Sequence, residues 1–258
     1  MFMETNNNFQ NEDLLSLLSI LDANSTQDKI NEVFNEIANK LFRNYHIKKG
    51  KSTYDLLEIE FYFYSCNHKD LITYPRNSNK PGMGFFHMSG VDITFGSNKN
   101  EDNHPLMYGG ILIRSIVKTP EDSSTLPKYI CGPMKCVDEL FDYIYAFDGD
   151  ISRADIPFIE ENEKKDKISV DSCCRYIPLL FLNEAERSQK IHSKFEELKK
   201  RRKEDWKCVP ELIEDWDNHD FSEKDFESFL KRPYRFYRND FNKWMNGYNA
   251  KPKNYETF

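Results

Sequence analysis

A chain of 258 residues with 36 Lys and Arg against 43 Asp and Glu has a net charge of −7 at pH 7. Its length is enough for one large domain with a real core, and 14% aromatic with 31% charged residues excludes a collagenous or wholly disordered chain. No apolar run approaches the roughly 20 residues of a membrane-spanning helix, and the acidic balance argues against an indiscriminate nucleic-acid binder.

The chain divides into three predicted regions. Residues 1–24 form a polar and acidic lead. Residues 25–182 form an α+β core that opens with a helix, with Ser25 as the candidate N-cap and apolar residues at helical spacing, namely Ile30, Val33, Phe34, Ile37 and Leu41. Residues 183–258 form a charged helical segment that packs back on the core through residues 232–238.

A long β-type run, Leu56 to Tyr64, carries two carboxylates. The alternation of a strand places Glu58 and Glu60 on one face, together with Tyr62. A carboxylate among apolar strand residues is unfavourable unless it is hydrogen-bonded, paired or facing a wet cleft. Glu60 is therefore a candidate acid or base. The other interpretation is a structural ion pair with Arg114, which also lies in an apolar β run.

Short β-type segments dominate the centre of the chain. Residues 85–87, 91–95 and 111–117 are predicted strands, and residues 134–145 are a predicted helix. The pattern predicts an α+β fold, in which a curved, mainly antiparallel β-sheet is surrounded by helices and followed by a helical C-terminal extension.

Several aromatic rings in these segments could enclose a flat ligand, namely Tyr62, Phe86, His87 and Phe95. The alternative is that they are ordinary core residues. The chain has no GxxxxGK[ST], GxGxxG or GxSxG motif. This argues against a binding site for a nucleoside triphosphate, a binding site for a dinucleotide and the nucleophile elbow of a hydrolase.

The six cysteines and the N-terminal region indicate the compartment. Cys66, Cys131, Cys136, Cys173, Cys174 and Cys208 have neither paired CxxC spacing nor a Cys/His zinc pattern. The apolar run of residues 14–21 is short, lies between Asp13 and Asp22 and has no basic segment before it, so we expect no secretory signal. We predict reduced thiols, no metal and no cofactor, in a cytoplasmic protein or a nuclear one in a eukaryote.

Short motifs occur in a fixed order between residues 33 and 238. They are Glu-Ile-Glu-Phe-Tyr (58–62), Thr-Tyr-Pro-Arg-Asn (73–77), Phe-Phe-His-Met-Ser-Gly (85–90), Asp-Ile-Thr-Phe-Gly (92–96), Leu-Ile-Arg-Ser (112–115), Gly-Pro-Met-Lys (132–135) and Arg-Phe-Tyr (235–237). This ordered set, preceded by an amphipathic helix, resembles the alkyladenine (3-methylpurine) DNA glycosylase family. The resemblance implies a metal-independent hydrolase of N-glycosidic bonds.

The resemblance also implies roles for individual residues. Glu60 would be the general base that activates water, Arg114 would help to place that water, and Tyr62 would form one face of a pocket for a flipped base. Phe95 stands where the family has the tyrosine that wedges into the duplex, and Asp92 stands at a pocket aromatic.

Basic residues are concentrated in two C-terminal stretches. Residues 190–203 hold seven basic and two acidic side chains, and residues 231–243 hold five and one. Contact with nucleic acid should therefore be confined to one face. The residues expected to contact the DNA backbone are Arg76, Lys199, Arg201, Arg235 and Arg238.

The resulting prediction is a monomeric DNA glycosylase that releases a modified or damaged base, with Phe86, His87 and Asp92 beside Tyr62 in the base pocket and no membrane partner. Two alternatives stay open. One is a non-catalytic module on the same scaffold that binds nucleic acid or protein, which the acidic charge favours. The other is a hydrolase of free nucleosides or nucleotides.

Overall fold

The computed structural model describes residues 12–76, 80–96, 106–120, 124, 126–142, 154–162, 165, 167–205 and 221–240. Its helices in these ranges are α1 (Glu12–Leu18), α2 (Gln27–Asn44), α3 (Pro133–Leu140), α4 (Glu184–Asp205) and α5 (Glu223–Leu230), with a 3-10 turn at Pro178–Phe181. Among the described helices, none combines the length and the apolar character that crossing a bilayer requires.

In the described ranges ten strands form one sheet. They are β1 (Tyr45–Lys49), β2 (Ser52–Ser65), β3 (His68–Lys69), β4 (Gly84–His87), β5 (Gly90–Thr94), β6 (Tyr108–Lys118), β7 (Lys128–Cys131), β8 (Phe158–Glu161), β9 (Val170–Cys173) and β10 (Arg235–Arg238). The main path is β4-β5-β6-β2-β1-β8, and β10 pairs with β2 and β9. The sheet is antiparallel and curls into a half-barrel, which confirms the predicted α+β fold.

α2 forms because a cap precedes it and its apolar residues recur every three or four positions. Five predicted core positions are fully buried: Ile30, Val33, Phe34, Ile37 and Leu41. The N-cap is Thr26, whose side chain accepts the Lys29 N–H, and not the predicted Ser25. Phe34 stacks on Phe61 of β2 with ring centroids 4.3 Å apart, so helix and sheet share one aromatic core.

The described part of the predicted N-terminal lead belongs to this core. α1 buries Leu14, Leu17 and Leu18 in the same cluster as α2 and the sheet. The acidic residues at its start suit the positive end of a helix dipole and do not mark a separate lead. The predicted boundary after residue 24 therefore falls inside one packed unit, and residues 1–11 lie outside the described ranges.

The described C-terminal helices pack on a second cluster. α4 and α5 contact one another and cover the end of β2 and β6 at Tyr64 and Tyr108, whose rings stack 5.2 Å apart. β10 then returns to the sheet between β2 and β9. Residues 206–220 and 241–258 lie outside the described ranges.

His68 should make stability depend on pH. Its imidazole lies between the Phe63 carbonyl and the Tyr234 hydroxyl, and burial lowers the pKa of His68 to about 4. The pKa in the unfolded chain is about 6.5, so between these values the unfolded state binds more protons. The contribution of neutral His68 to the free energy of unfolding is therefore present above pH 6.5 and is lost as the pH falls through 4. From this group we expect the free energy of unfolding to drop by about 2 kcal/mol between pH 7 and pH 5.

Urea unfolding of the wild type and of His68→Gln at pH 7 and pH 5 measures this contribution. The variant starts less stable, because it alters two buried hydrogen bonds, but it should lack the His68 part of the pH dependence. Equal pH dependence in both proteins would mean that His68 titrates normally in the folded state.

Candidate functional site

Glu60 lies on the face of the sheet turned away from α1 and α2. The register places Arg235 of β10, Glu60 of β2, Leu112 of β6 and Asp92 of β5 side by side in one row across the strands. Residues directly opposite in neighbouring strands share a face, whereas Ile59 points into the core. We call the face defined by this row the charged face.

Glu60 is fully buried, and both of its carboxylate oxygens are hydrogen-bonded. Oε2 accepts the Tyr62 hydroxyl at 2.8 Å and Nη1 of Arg114 at 3.1 Å, and Oε1 accepts the backbone N–H of Tyr176 at 2.6 Å. Burial and the charge of Glu60 raise the pKa of Tyr62 well above 10, so its hydroxyl stays a donor. Three residues predicted as a site, Glu60, Arg114 and Tyr62, are thus in direct contact.

Glu58 is held beside this site by two arginines. A β-bulge at Glu58 breaks the register with β6 and brings both Arg114 Nε (3.0 Å) and Ser115 Oγ (2.6 Å) to its carboxylate, which also contacts Arg235. Burial pushes the pKa of Glu58 up, but the charges of Arg235 and Arg114 and the Ser115 hydrogen bond outweigh it and hold that pKa below its usual value. Arg114 therefore bridges Glu58 and Glu60.

A second buried ion pair supports Tyr62. Arg175 and Asp70 are enclosed by protein and joined by two contacts of 2.5 and 3.0 Å. Burial lowers the pKa of Arg175, but the charge of Asp70 outweighs burial and raises it. The Arg175 guanidinium lies 4.8 Å from the centre of the Tyr62 ring and also donates to the Phe61 carbonyl. The pair therefore fixes the position of Tyr62.

Three aromatic rings reach the surface above the network. Tyr62 and Tyr176 are partly exposed, and Phe181, which is 39% exposed, packs on Tyr176 with centroids 5.1 Å apart. The Arg114 guanidinium lies 5.3 Å from the Tyr176 ring. Such rings offer faces for a flat ligand. Tyr62 was predicted for this role, and Tyr176 and Phe181 were not.

Asp92 and His87 form a separate cluster with Arg76. Asp92 accepts from Arg76 Nη2 at 2.7 Å and lies 3.0 Å from His87 Nε2. In the cross-strand row, Leu112 separates Asp92 from Glu60. The structure therefore corrects the prediction that Asp92 and His87 line a pocket with Glu60, because their polar atoms pair with each other. It also corrects the predicted backbone contact of Arg76, which is buried.

Phe86 lies on the opposite face from Glu60. It pairs with Val91, whereas Phe85 pairs with Asp92 in the row of the charged face. Phe86 packs edge-on against Phe141, which follows α3, at 4.7 Å. The predicted place of Phe86 in the base pocket is therefore wrong: the two-residue period of the strand turns Phe86 away from Glu60.

Phe95, predicted as the DNA wedge, is a core residue. It is fully buried, and its ring lies 5.9 Å from the rings of Phe34 and Phe63. The next residue, Gly96, donates its N–H to the Leu18 carbonyl of α1 at 2.8 Å. The structure corrects the wedge assignment, because this ring cannot enter a duplex without unpacking the core.

Two of the four C-terminal residues predicted to contact DNA are buried. Arg235 is enclosed against Glu58, and Arg238 is enclosed in ion pairs with two aspartates. A buried, paired arginine is not available to phosphate, so these two predictions are wrong. Lys199 is partly exposed and Arg201 is exposed on α4, so both remain accessible.

The basic run of α4 also contains an anchor. Arg202 is buried, and its Nη2 donates to the carbonyls of Leu71 and Thr73 at 2.7 and 2.5 Å. These carbonyls follow Asp70 in the chain. α4 is therefore tied to the segment that pairs with Arg175.

Sequence reasoning missed Asp70, Arg175 and Tyr176. The first two are 105 residues apart and belong to no motif, and Tyr176 contributes through its backbone. The sequence contained one indication that Arg235 is buried. An arginine next to aromatic residues in a β-type run is as consistent with burial against a carboxylate as with exposure.

Gly110 makes room for Arg76. A Cβ added at Gly110 would lie 2.7 Å from Arg76 Nη1 and 2.9 Å from Asp92 Cβ. We expect Gly110→Ala to displace this ion pair and to lower the free energy of unfolding by about 1–3 kcal/mol in urea titrations. Gly84→Ala is the control, because its Cβ would meet its nearest atom at 3.7 Å. Equal stability of both variants would contradict the tight packing around Arg76.

The network offers a carboxylate that is paired with an arginine and lies beside partly exposed aromatic rings. In the described residues no group of His, Cys, Asp and Glu is placed to hold a metal ion, and the described cysteines are free thiols. No family model, curated protein or solved structure matches the chain.

Proposed function

We propose that this protein hydrolyses the N-glycosidic bond of a modified or damaged base in DNA. The observation that carries the proposal is the direct contact of Glu60 with Arg114 and Tyr62 on the charged face. These are the residues that the resemblance made general base, water-placing group and pocket wall. The proposal places the activity in the cytoplasm, or in the nucleus of a eukaryote.

The proposed reaction uses Glu60 twice. As the bond from C1′ to the base nitrogen breaks, its electron pair leaves with the base and the sugar becomes oxocarbenium-like, which a nearby carboxylate stabilises. Glu60 then accepts a proton from water while the water oxygen bonds to C1′, and this proton passes through solvent to the nitrogen of the released base. Arg114 orients the carboxylate through its ion pair with Oε2.

Access to Glu60 requires a local change. The carboxylate is fully buried, and the Tyr176 N–H occupies Oε1. In the proposed complex the backbone at Tyr176 moves aside, so that water replaces this N–H. The rings of Tyr62 and Tyr176 then stack on the flipped base.

Base release is the direct test. DNA pools with varied base modifications are incubated with pure protein, and released bases are detected by mass spectrometry, with free nucleosides as a parallel arm. We expect release from modified duplex DNA and not from nucleosides. No release from any pool would contradict the proposal. Release from nucleosides alone would support the alternative that the protein is a hydrolase of free nucleosides or nucleotides.

Glu60→Gln and Glu58→Gln form a matched pair. Glu60→Gln should lower release by at least about 100-fold per folded molecule, because a neutral amide cannot take the proton. Glu58→Gln should keep release per folded molecule but lose stability, because Arg114 and Arg235 lose a charged acceptor. Activity is normalised to the folded fraction from circular dichroism. Full release by Glu60→Gln would remove Glu60 as the base.

The full burial of Glu60 favours a second candidate, a non-catalytic module that binds nucleic acid. This candidate predicts binding without release that Glu60→Gln does not change. Neutralising Lys199, Lys200 and Arg201 on α4 should then weaken binding, with a smaller dependence on salt concentration. Fluorescence anisotropy at two salt concentrations measures both effects.

A further inference from the structure

Strand β4 lies at one end of the main strand path of the described sheet and contains no Lys, Arg, Asp or Glu. In the described residues β4 pairs only with β5. Residues 81–91 (Pro-Gly-Met-Gly-Phe-Phe-His-Met-Ser-Gly-Val) contain no Lys, Arg, Asp or Glu. Edge strands are commonly protected from pairing by charged side chains, by bulges or by a covering element. β4 has no such charge.

Large apolar side chains are exposed on and around this edge. On and beside β4 they are Met83 (50%), Phe86 (53%) and Met88 (89%). The others are Met134 of α3 (47%), Ile156 before β8 (78%) and Phe158 of β8 (54%). We call these six residues the edge face.

A cleft lies beside the edge face. It has a volume of about 100 Å³, and its lining includes Gly84 of β4, Val91 of β5, Phe141 after α3 and Phe158 of β8. Phe86 packs on Phe141 at 4.7 Å. The start of α3 lies against the β4–β5 turn, since a Cβ added at Gly90 would come 2.8 Å from the Pro133 Cβ.

The six residues of the edge face expose a large apolar area in total. At about 200 Å² for a fully exposed large side chain, the six exposed fractions correspond to about 700 Å². A standard protein interface buries about 800 Å² on each partner, so the edge face is close to the size that a stable dimer needs.

We propose that the edge face binds a second copy of this chain, with β4 pairing antiparallel to β4 of that copy. Antiparallel pairing of a strand with its own copy is two-fold symmetric, which is the symmetry of most homodimers. It adds backbone hydrogen bonds at both edges and encloses Phe86 and Met88 of each copy. This proposal replaces the monomer that the sequence led us to expect.

The distribution of charged residues favours β4 over β8, the strand at the other end of the main path, as the strand that pairs with a second copy. β8 contains Glu160 and Glu161, so two copies paired through β8 would bring like charges together. β4 meets its copy without such repulsion. Recognition of β4 through opposite charges is disfavoured, because residues 81–91 hold no Lys, Arg, Asp or Glu, whereas an apolar edge is complementary to a second copy of itself.

Sedimentation equilibrium of the full chain between about 1 and 100 µM tests the proposal. The expected mass rises with concentration from 30.7 kDa towards twice that value. Met88→Lys should shift the midpoint to at least tenfold higher concentration and leave the fold intact, because this side chain is almost fully exposed. Phe86→Glu should have the same effect, and Leu126→Glu, an exposed residue between β6 and β7, should have none.

Each outcome decides the matter. A mass of 30.7 kDa at every concentration overturns the proposal, whatever other protein binds the face. A dimer that persists in both Met88→Lys and Phe86→Glu also overturns it, because the contact then lies elsewhere. Dissociation by Met88→Lys and by Phe86→Glu but not by Leu126→Glu, with unchanged circular dichroism for Met88→Lys, supports it.

Discussion

Asp70→Asn should lower the free energy of unfolding by about 3–5 kcal/mol, because it leaves the Arg175 cation buried without its counter-charge. Arg175 is fully buried, and its other acceptors are the backbone carbonyls of Phe61 and Phe229. Carbonyls satisfy N–H donors, but they do not balance a full positive charge. Urea unfolding followed by circular dichroism measures the loss.

Two further variants separate the charge effect from a general loss of packing. Glu197→Gln breaks the exposed pair with Lys194 and should cost at most about 1 kcal/mol. Adding Arg175→Met to Asp70→Asn removes the unpaired cation and should recover part of the lost stability. If the double variant is as unstable as the sum of the single ones, the unbalanced charge is not the cause.

The Asp70 prediction rests on residues that no sequence pattern singles out. Patterns of period two and period 3.6 located β2, β6 and α2, because each of these elements repeats its apolar residues over many positions. The contact between Glu60 and Arg114 followed from two long central strands. Asp70 and Arg175 lie outside regular elements, so only the tertiary fold brings them together.

The alternation of apolar and polar residues around Phe95 predicts its position better than the family resemblance does. Val91, Ile93 and Phe95 alternate with Asp92 and Thr94, which is the pattern of a strand with one buried apolar face. This alternation places Phe95 on the core side with Ile93. Alignment to a wedge tyrosine compared one position and ignored the strand on which it lies. Only burial, measured in the structure, decides between the two interpretations.

Phe95→Ala should accordingly lower the free energy of unfolding by about 3–5 kcal/mol, the usual cost of truncating a fully buried phenylalanine. Its ring stacks with Phe34 and Phe61 and meets Phe63 edge-on, so the deletion leaves a cavity between α2 and the sheet. Thermal and urea unfolding both report this loss.

Phe86→Ala is the matched control, because it removes the same ring from a half-exposed position on the neighbouring strand. Measured at concentrations where the chain is monomeric, its cost should stay near about 1 kcal/mol, since much of the ring is then in water. A Phe95→Ala protein as stable as Phe86→Ala would place Phe95 outside the core and restore the DNA wedge. A large loss confined to Phe95→Ala means that weaker DNA binding by this variant reflects unfolding and says nothing about a wedge.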